Sequence, residues 1–348
     1  NNGVNNGANN GANNGANNGE PLPPEPVPDG MAAVGISGRD DVESAVREAI
    51  RLAGGIDEIQ PGQSVFIKPN AVHNFILGPS IITSIEVIQA VVRIVKERNP
   101  GRIIVGDRPS RQFESARVLD RTGIAAAAIE AGADEIHAPL PPADDPNAWV
   151  LMQPDGWEET WEAEGGILAM RAIVEADHFI NLPVCKDHRW AVFSLSLKNL
   201  IGAVGDSTRD PMHYIREMPD QLSRDIAILN GAFSPLINIL DARTALLNGG
   251  PEGTGPESVR SEPGLIAASK DRVALDTFGI SVIKHDLVDA VVPDPDEAYQ
   301  FITTCRPFAC PQILHARDLG HGIDDLQKIL LRFDQVELAD EIEAIFRS

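Results

Sequence analysis

Cysteine is scarce in this chain of 348 residues, which contains only Cys185, Cys305 and Cys310. No two of them have the CxxC spacing, so a single chain lacks the ligands of an iron–sulfur cage or a zinc ribbon. Cys305 and Cys310 either form a short-loop disulfide or stay as two buried thiols, and we expect the thiols. Cysteine usage therefore does not assign the chain to a redox compartment.

Aromatic residues and long apolar runs are also scarce. Aromatic side chains make up 5% of the chain and hydrophobic residues 43%, so the core must consist mostly of Val, Ile, Leu and Ala. No apolar run approaches the roughly 20 residues that a membrane-spanning helix needs. We therefore expect no membrane span.

Basic residues are outnumbered, with 29 Lys and Arg against 51 Asp and Glu and a formal net charge of −22. Such an acidic protein is a poor partner for nucleic acid or for an anionic membrane, because both repel it. The charge suits solubility, a cationic partner or an outward-facing location.

The N-terminus has low complexity. Residues 1–20 repeat Asn-Asn-Gly and have almost no core-forming side chains, so a free tract could not offset its ordering entropy. Residues 21–30 are rich in proline, and we expect an extended, semi-rigid linker before a domain over 31–348. One hypothesis is that residues 1–30 join copies of the chain into a homo-oligomer or filament, through asparagine ladders or added strands. The chain begins with Asn and shows no signal peptide, which we interpret as N-terminal processing or trimming.

After Met31, short apolar runs typical of buried strands alternate with segments of helical periodicity. Strands are predicted at 32–36, 64–70, 102–107, 134–140, 178–183, 236–241 and 264–269, and helices at 39–55, 84–100, 114–131, 190–201, 271–284, 312–322 and 324–347. This alternation predicts an α/β fold, with a mostly parallel sheet and helices on both faces, as one large domain or two α/β lobes. Residues 141–165 hold three of the four tryptophans and interrupt the pattern. We expect a local lid rather than an excursion that packs on a neighbouring subunit.

Polar side chains follow several predicted strands, at the sheet edge where ligands usually bind. Lys68 and Asn70 end one strand, Asp241 ends another, and Asp271 and Asp276 flank the start of a helix. The densest cluster consists of Asn181, Lys186, His188, Lys198, Asn199, Arg209 and His213. In an acidic chain, so many cations in one segment predict a positive pocket for a carboxylate or phosphate.

Roles within this predicted pocket follow from residue type. The ligand-binding candidates are Lys68, Asn70, Lys186, Asn199 and Arg209. The catalytic candidates are the acid–base groups His188, Lys198 and His213, together with Asp241, which would orient a histidine. Glycines Gly202 and Gly205 would let the backbone approach a ligand. The structural alternative is a network in which Lys and Asn bond loop carbonyls and the histidines lie at the surface.

Metal and phosphate-loop motifs are weak by comparison. No local run has metal-ligand spacing, although His188 and His213 could converge with Asp206 or Asp241 in space, so no metal site is assigned. The glycine-rich loop NGGPEGTGP (248–256) lacks the GxxxxGK[ST] pattern and is interpreted as a loop.

The same blocks, in the same order, resemble the DUF362 domain, a family of uncharacterised conserved proteins. The matching stretches, over roughly residues 33–323, are VFIKPN, IIVGD, ADHFINLPVCKDHRWAVFSLSLKNLIGAVGD with RDPMHY, INILDARTALLNGGPEGTGP, LIAASKDRVALDTFG and HARDLGHG. In the family the central block usually reads Lys-x-His followed by Lys-Asn-x-x-Gly. Here these positions are Lys186, His188, Lys198, Asn199 and Gly202.

The resemblance implies a fold but no settled activity. Some family members carry an attached ferredoxin-like module with paired cysteine motifs. This chain has no such module, so we expect no intrachain iron–sulfur cluster and leave the cofactor unassigned. Members are often exported in folded form through a twin-arginine route, which favours an exported location over a cytoplasmic one.

Two hypotheses for function follow. The first is an enzyme or binder of a small anionic ligand at the Lys, His, Asn and Arg cluster. The second is an exported structural subunit that assembles through its N-terminal arm.

Overall fold

The computed structural model describes residues 23–72, 78, 80–214, 220–255, 258–295 and 297–348. The Asn-Asn-Gly repeat of residues 1–20 lies outside the described residues. Assembly through this arm therefore stays a prediction.

The strands in chain order are β1 (Ala32–Ser37), β2 (Ser64–Pro69), β3 (Arg102–Gly106), β4 (Glu135–His137), β5 (Trp149–Met152), β6 (Ile167–Met170), β7 (His178–Leu182), β8 (Val184–His188), β9 (Val192–Ser194), β10 (Ile237–Asn248), β11 (Val259–Ser261), β12 (Leu265–Ser269) and β13 (Ile329–Asp334).

The helices are α1 (Val42–Leu52), α2 (Ile85–Lys96), α3 (Ser115–Arg121), α4 (Ile124–Ala131), α5 (Glu158–Trp161), α6 (Arg171–Val174), α7 (Ser196–Asn199), α8 (Asp206–Tyr214), α9 (Asp220–Asn230), α10 (Arg272–Leu287), α11 (Glu297–Thr304), α12 (Pro311–Asp318) and α13 (Ala339–Phe346). Side-chain caps begin two of them: Asp41 accepts the Ser44 N–H at 2.9 Å, and Asp271 accepts the Ala274 N–H at 2.8 Å. In the described part of the chain, none of the helices has the length and apolarity needed to cross a bilayer.

Eleven strands of the described residues form one mixed sheet, whose central path is β13-β1-β12-β10-β7-β2-β3-β4. Neighbours along this path are parallel, except that β12 runs antiparallel to both β1 and β10. Strands β8 and β11 pair with β10, and β9 pairs with β8. The predicted α/β fold with a mostly parallel sheet is confirmed.

Alternate residues of the central strands supply two cores, one on each face of the sheet. Phe66 of β2 packs in a core that includes residues of α9, α10, α12 and α13. Its neighbours Val65 and Ile67 pack in a second core with α1, α2, α3 and α4. Because successive strand residues point to opposite faces, this division places helices on both sides of the sheet, as predicted.

Three segments differ from the sequence-based prediction. Within the predicted helix 190–201, residues 192–194 form β9 antiparallel to β8, and only Ser196–Asn199 is helical. Within the predicted helix 324–347, residues 329–334 form β13, which pairs with β1 in the register Ala32↔Ile329. The strand predicted to end at 241 continues to Asn248. Strand β13 pairs with the remote strand β1, whereas β9 and the last four residues of β10 are buried throughout and lack the alternation of a half-exposed strand, so local periodicity does not reveal any of the three.

The tryptophan-rich segment packs on its own chain. Strands β5 and β6 pair as a separate two-stranded antiparallel sheet. Trp149 and Trp161 are 2% and 0% exposed within the main core, and the Trp161 indole donates to the Thr208 carbonyl at 2.8 Å. This agrees with the expectation of a local element.

Cys305 and Cys310 form a disulfide, so the expectation of two thiols is wrong. Their Cα atoms lie 5.8 Å apart, within the usual range for a bridge, because the turn between α11 and α12 folds back. Cys185 is a buried free thiol.

The described part of the proline-rich linker is docked on the domain. The Glu25 N–H donates to the Arg51 carbonyl at 2.9 Å, and Arg332 donates to the carbonyls of Glu25 at 3.1 Å and Pro26 at 2.6 Å. An extended, proline-rich backbone leaves its carbonyls without helical partners, so an arginine can bind them. Residues 25 and 26 of the predicted semi-rigid linker are therefore anchored to the domain.

Candidate functional site

A row of polar side chains crosses the centre of the sheet. Lys68 of β2 is in register with Asn181 of β7, Asn181 with Asn238 of β10, and Asn238 with Ser269 of β12. All four residues are completely buried. Residues in register point to the same face, so these side chains form a continuous polar row between apolar layers.

Helix α7 lies on this polar row and is bonded to it by amides. Asn199 Nδ2 donates to Asn181 Oδ1 at 2.7 Å, and Asn181 Nδ2 donates to the Ser196 carbonyl at 3.1 Å. Buried amides need such partners, because an unpaired one costs about 1–3 kcal/mol. The pairing holds the short helix, and with it Lys198, at one position above the sheet.

The start of α7 is held by a carboxylate from α10. Asp276 accepts the N–H groups of Ser196 at 2.7 Å and Leu197 at 2.9 Å, which are otherwise free at a helix start. Burial raises the pKa of Asp276 to about 7, although these N–H bonds favour its charged form.

Lys68 and Asp107 form a buried ion pair at the adjacent ends of β2 and β3. Lys68 Nζ lies 2.7 Å from Asp107 Oδ1, and Asp107 Oδ2 accepts the Ala71 N–H at 3.0 Å. Burial lowers the pKa of Lys68 and raises that of Asp107, while their mutual attraction opposes both shifts. Lys68 also donates to the carbonyl of Pro69 at 3.2 Å, so its ammonium is largely occupied by the protein.

Gly202 allows the backbone after α7 to approach this ion pair. A Cβ at this position would collide with Asp107 Oδ1 and Lys68 Nζ. A Cβ at Gly205 would lie 2.6 Å from Pro142 Cγ. The close approach that glycine permits here is therefore to protein groups, whereas the sequence suggested approach to a ligand.

A cavity of about 360 Å³ opens beside the ion pair, at the carboxyl ends of β2 and β3 and along β8 and β9. Its basic lining side chains are Lys68, Arg108, Arg111, Lys186, Lys198 and Arg209, and its acidic ones are Asp107 and Glu252. Arg108 and Arg111 are also paired with Asp206 and Asp210 just outside the lining, so the wall keeps a formal excess of two positive charges in a chain of net −22. This agrees with a local positive pocket.

Strand β8 supplies Lys186 and His188, two residues apart and therefore on the same side. Lys186 Nζ donates to the carbonyls of Ile81 at 3.1 Å and Pro251 at 3.4 Å. Burial lowers the pKa of Lys186 to about 8. Its ammonium has a third donor, and its side chain lines the cavity.

His188 is held in one tautomer by the turn that follows β8. Its Nδ1 accepts the N–H groups of Trp190 at 3.2 Å and Ala191 at 3.3 Å. The neutral ring therefore carries its proton on Nε2. Trp190, which is 47% exposed, lines the cavity mouth next to this ring.

Lys198 differs from the other lysines of the wall. Its ammonium makes no hydrogen bond or ion pair with any residue that the structure describes. Burial, the largest cause, and the neighbouring charges of Lys186, Arg209 and Lys68 together lower its pKa to about 7, while Glu252 opposes them. The amine is thus poised between its charged and neutral forms near neutral pH.

The two buried arginines of the wall donate hydrogen bonds to protein groups around the cavity. Arg209 donates to the carbonyls of Val204 at 3.1 Å, Pro109 at 2.6 Å and Arg108 at 2.5 Å, and burial lowers its pKa to about 10. Arg108 Nη2 donates to Asp206 Oδ2 at 2.9 Å. Arg209 therefore bonds loop carbonyls, a structural role that the sequence-based alternative assigned to Lys and Asn but not to Arg209.

Seven of the nine predicted site residues line this cavity, namely Lys68, Asn70, Lys186, His188, Lys198, Asn199 and Arg209. Asp241 lies outside the lining. Its Oδ2 accepts the N–H of Ser84 at 3.0 Å and the hydroxyl of Ser84 at 2.5 Å, immediately before α2. His213 belongs to α8, but its side chain lies outside the described residues. Among the described residues, no three His, Cys, Asp or Glu side chains come together to hold a metal ion.

Residue-by-residue inspection of the sequence missed Asp107, Arg108, Trp190 and Glu252, which also line the cavity. Asp107 had a usable signal, because it ends the run RIIVGD just as Lys68 ends its neighbour. Glu252 and Trp190 had no such signal in the sequence, because each lies in a turn and the path of that turn depends on tertiary contacts.

Comparison with known proteins gives one family match. The model of the "Domain of unknown function (DUF362)" matches residues 65–281. A thylakoid-associated protein from Synechocystis sp. is 26% identical over 294 residues, which cover 84% of this chain and 85% of that protein.

Two solved structures are similar in part. A Thermotoga maritima protein has a TM-score of 0.41 and 13% identity over 65% of this chain. The lactate racemase apoprotein from Thermoanaerobacterium thermosaccharolyticum has a TM-score of 0.39 and 13% identity over 67%. The alignments cover 53% and 54% of those two chains, about half of each. Neither likeness carries an argument about function.

Proposed function

The chain belongs to the DUF362 family, whose function is unknown, and we propose that its strand-end cavity binds a small anionic molecule through Lys198. The observation that carries this proposal is the ammonium of Lys198, which has no partner among the described residues in a wall of excess positive charge. A partly desolvated cation without an acceptor is costly. A bound carboxylate or phosphate would supply both a hydrogen-bond acceptor and a compensating negative charge.

The size and lining of the cavity support a small ligand. About 360 Å³ lies at the lower end of the range for small-molecule sites. Ser194 of β9 is in register with Lys186 of β8, and both line the cavity. The Ser194 hydroxyl, the third donor of Lys186 and the Lys198 amine thus offer three hydrogen-bond donors from three different elements.

Acid–base groups in the same wall support proton transfer with the bound molecule. Lys198 has a pKa of about 7, and His188 lines the same cavity. A bound anion would raise the pKa of Lys198, so the protein would take up protons on binding between about pH 7 and pH 9.

The test is a titration of the full chain with phosphate, acetate, pyruvate and citrate, followed by the fluorescence of Trp190 at the cavity mouth and by calorimetry in buffers of different ionisation enthalpy. We expect saturable binding of at least one anion, with proton uptake. Lys198→Met should weaken it by about 10-fold to 100-fold, the cost of one charge-assisted hydrogen bond. Lys328→Met is the matched control, because Lys328 is a surface residue whose ammonium lies 3.7 Å from Asp324. Equal binding by the Lys198→Met variant, or no saturable binding of any of these anions, would overturn the proposal.

A further inference from the structure

Resting on the proposed anion-binding function, we propose that Lys198 is a nucleophile that forms an imine with a small 2-oxo carboxylate. The geometry points to this substrate class because an amine without a partner among the described residues shares one cavity with a positive wall. A 2-oxo carboxylate places its anionic group one bond from an electrophilic carbonyl carbon, so both parts fit a small site.

The amine must be neutral to attack a carbonyl, and its surroundings favour that form. A lysine becomes nucleophilic when it is desolvated or placed beside another cation. Both conditions hold for Lys198, whose charged neighbours Lys186, Arg209 and Lys68 outnumber the single opposing Glu252. With the pKa lowered to about 7, a large share of the amine is neutral at neutral pH.

The neighbouring groups can hold the substrate and move its protons. The Ser194 hydroxyl lines the cavity and makes no hydrogen bond within the described residues, so it is available to the substrate carboxylate. Lys186 retains one ammonium donor beyond its two carbonyl bonds. Lys186 and Lys198 line the same cavity, and the charge of Lys186 lowers the pKa of Lys198.

The step balances without an oxidant or a metal. The Lys198 nitrogen lone pair bonds to the carbonyl carbon, and one amine proton passes to the carbonyl oxygen to give a carbinolamine. The nitrogen then expels the hydroxyl group, which takes a proton from the Lys186 ammonium and leaves as water. The products are a protonated imine at Lys198 and a neutral Lys186, which water reprotonates.

The experiment is reductive trapping of the full chain with pyruvate and sodium cyanoborohydride, read by intact mass and peptide mapping. We expect one added reduced pyruvyl group, located on Lys198. Lys198→Met should lose this adduct and Lys328→Met should retain it. Lys198→Arg keeps the charge without the nucleophile, so it should bind pyruvate without being trapped. Lactate, which lacks the carbonyl, should compete with pyruvate without forming an adduct.

The two proposals fail in different ways. Saturable pyruvate binding with no adduct would overturn imine formation and leave anion binding intact. Absence of both binding and adduct would overturn both. Adducts spread over surface lysines, or retained at the wild-type level by the Lys198→Met variant, would also overturn imine formation. Thermal unfolding of each variant establishes that a lost adduct reflects lost chemistry in a folded chain.

Discussion

Replacing Lys198 with methionine should stabilise the free protein near neutral pH, even though it removes the proposed function. The wild-type cavity wall carries a partly buried cation that has no acceptor among the described residues. Methionine has a similar length and no charge, so it fills the same space without the cost of desolvating an ammonium.

The magnitude follows from the pKa of Lys198, which burial lowers from an ordinary value of 10.5 to about 7. Below about pH 7 the amine is charged in both the folded and unfolded chains, and the folded state bears the full penalty. Between the two pKa values only the unfolded chain binds the proton, so wild-type stability rises by about 1.4 kcal/mol per pH unit. From about pH 7 to about pH 8.5 this amounts to about 2 kcal/mol, which the methionine variant should lack.

Urea unfolding followed by tryptophan fluorescence at several pH values in this window measures the effect. The difference in unfolding free energy between variant and wild type isolates Lys198 from groups that titrate in both proteins. We expect Lys198→Met to be the more stable protein at about pH 7, with an advantage that shrinks by about 2 kcal/mol towards pH 8.5. Lys328→Met should show no such trend. A stability difference that does not depend on pH would refute a desolvated, partly neutral amine.

Three further predictions concern Gly202, Asp241 and the N-terminal arm. Gly202→Ala should destabilise the fold by about 2–4 kcal/mol in urea unfolding, because the added Cβ collides with the buried ion pair beneath it. A variant as stable as the wild-type protein would contradict this packing. Asp241→Asn should lower the free energy of unfolding by about 1–2 kcal/mol, because it weakens the bonds to Ser84. The affinity for anions should stay unchanged, since Asp241 lies outside the cavity. A tenfold loss of affinity would restore a role for Asp241 at the site. Removing residues 1–22, which spares the docked residues 23–26, should lower the oligomeric mass in light scattering if the N-terminal arm drives assembly; an unchanged mass rejects that hypothesis.

Much of the site could be predicted because it lies at strand ends. Lys68 and Asn70 end a strand whose apolar run is unmistakable, and the carboxyl ends of parallel strands meet at one edge of a sheet. Predicting the site residues between Lys186 and Asn199 required only that the cations of this block face the same edge of the sheet. Predicting the ion pair of Asp107 with Lys68 required knowledge that β2 and β3 are neighbours in the sheet. The order of strands along the chain suggests this neighbour relation but does not establish it.

Other features depended on contacts between remote parts of the chain. Asp241 ends a strand as Lys68 does, but its carboxylate bonds Ser84 before α2 and stays outside the cavity. The edge strand β13 was predicted as helix because its pairing partner, β1, lies about 300 residues earlier. The disulfide depended on the fold of the turn between its two cysteines.

The sequence by itself determined the alternation of strands and helices, the acidic character of the chain and the presence of a cationic block, because these depend on residue type and short-range periodicity. Only the tertiary structure decided which cation has no partner within the described part of the chain. Lys68 and Lys198 are equally basic in the sequence, but the fold places Asp107 against the first and no described acceptor against the second. Charge, burial and hydrogen bonding act over a few ångströms, and the distances between side chains from separate elements exist only once the sheet is assembled.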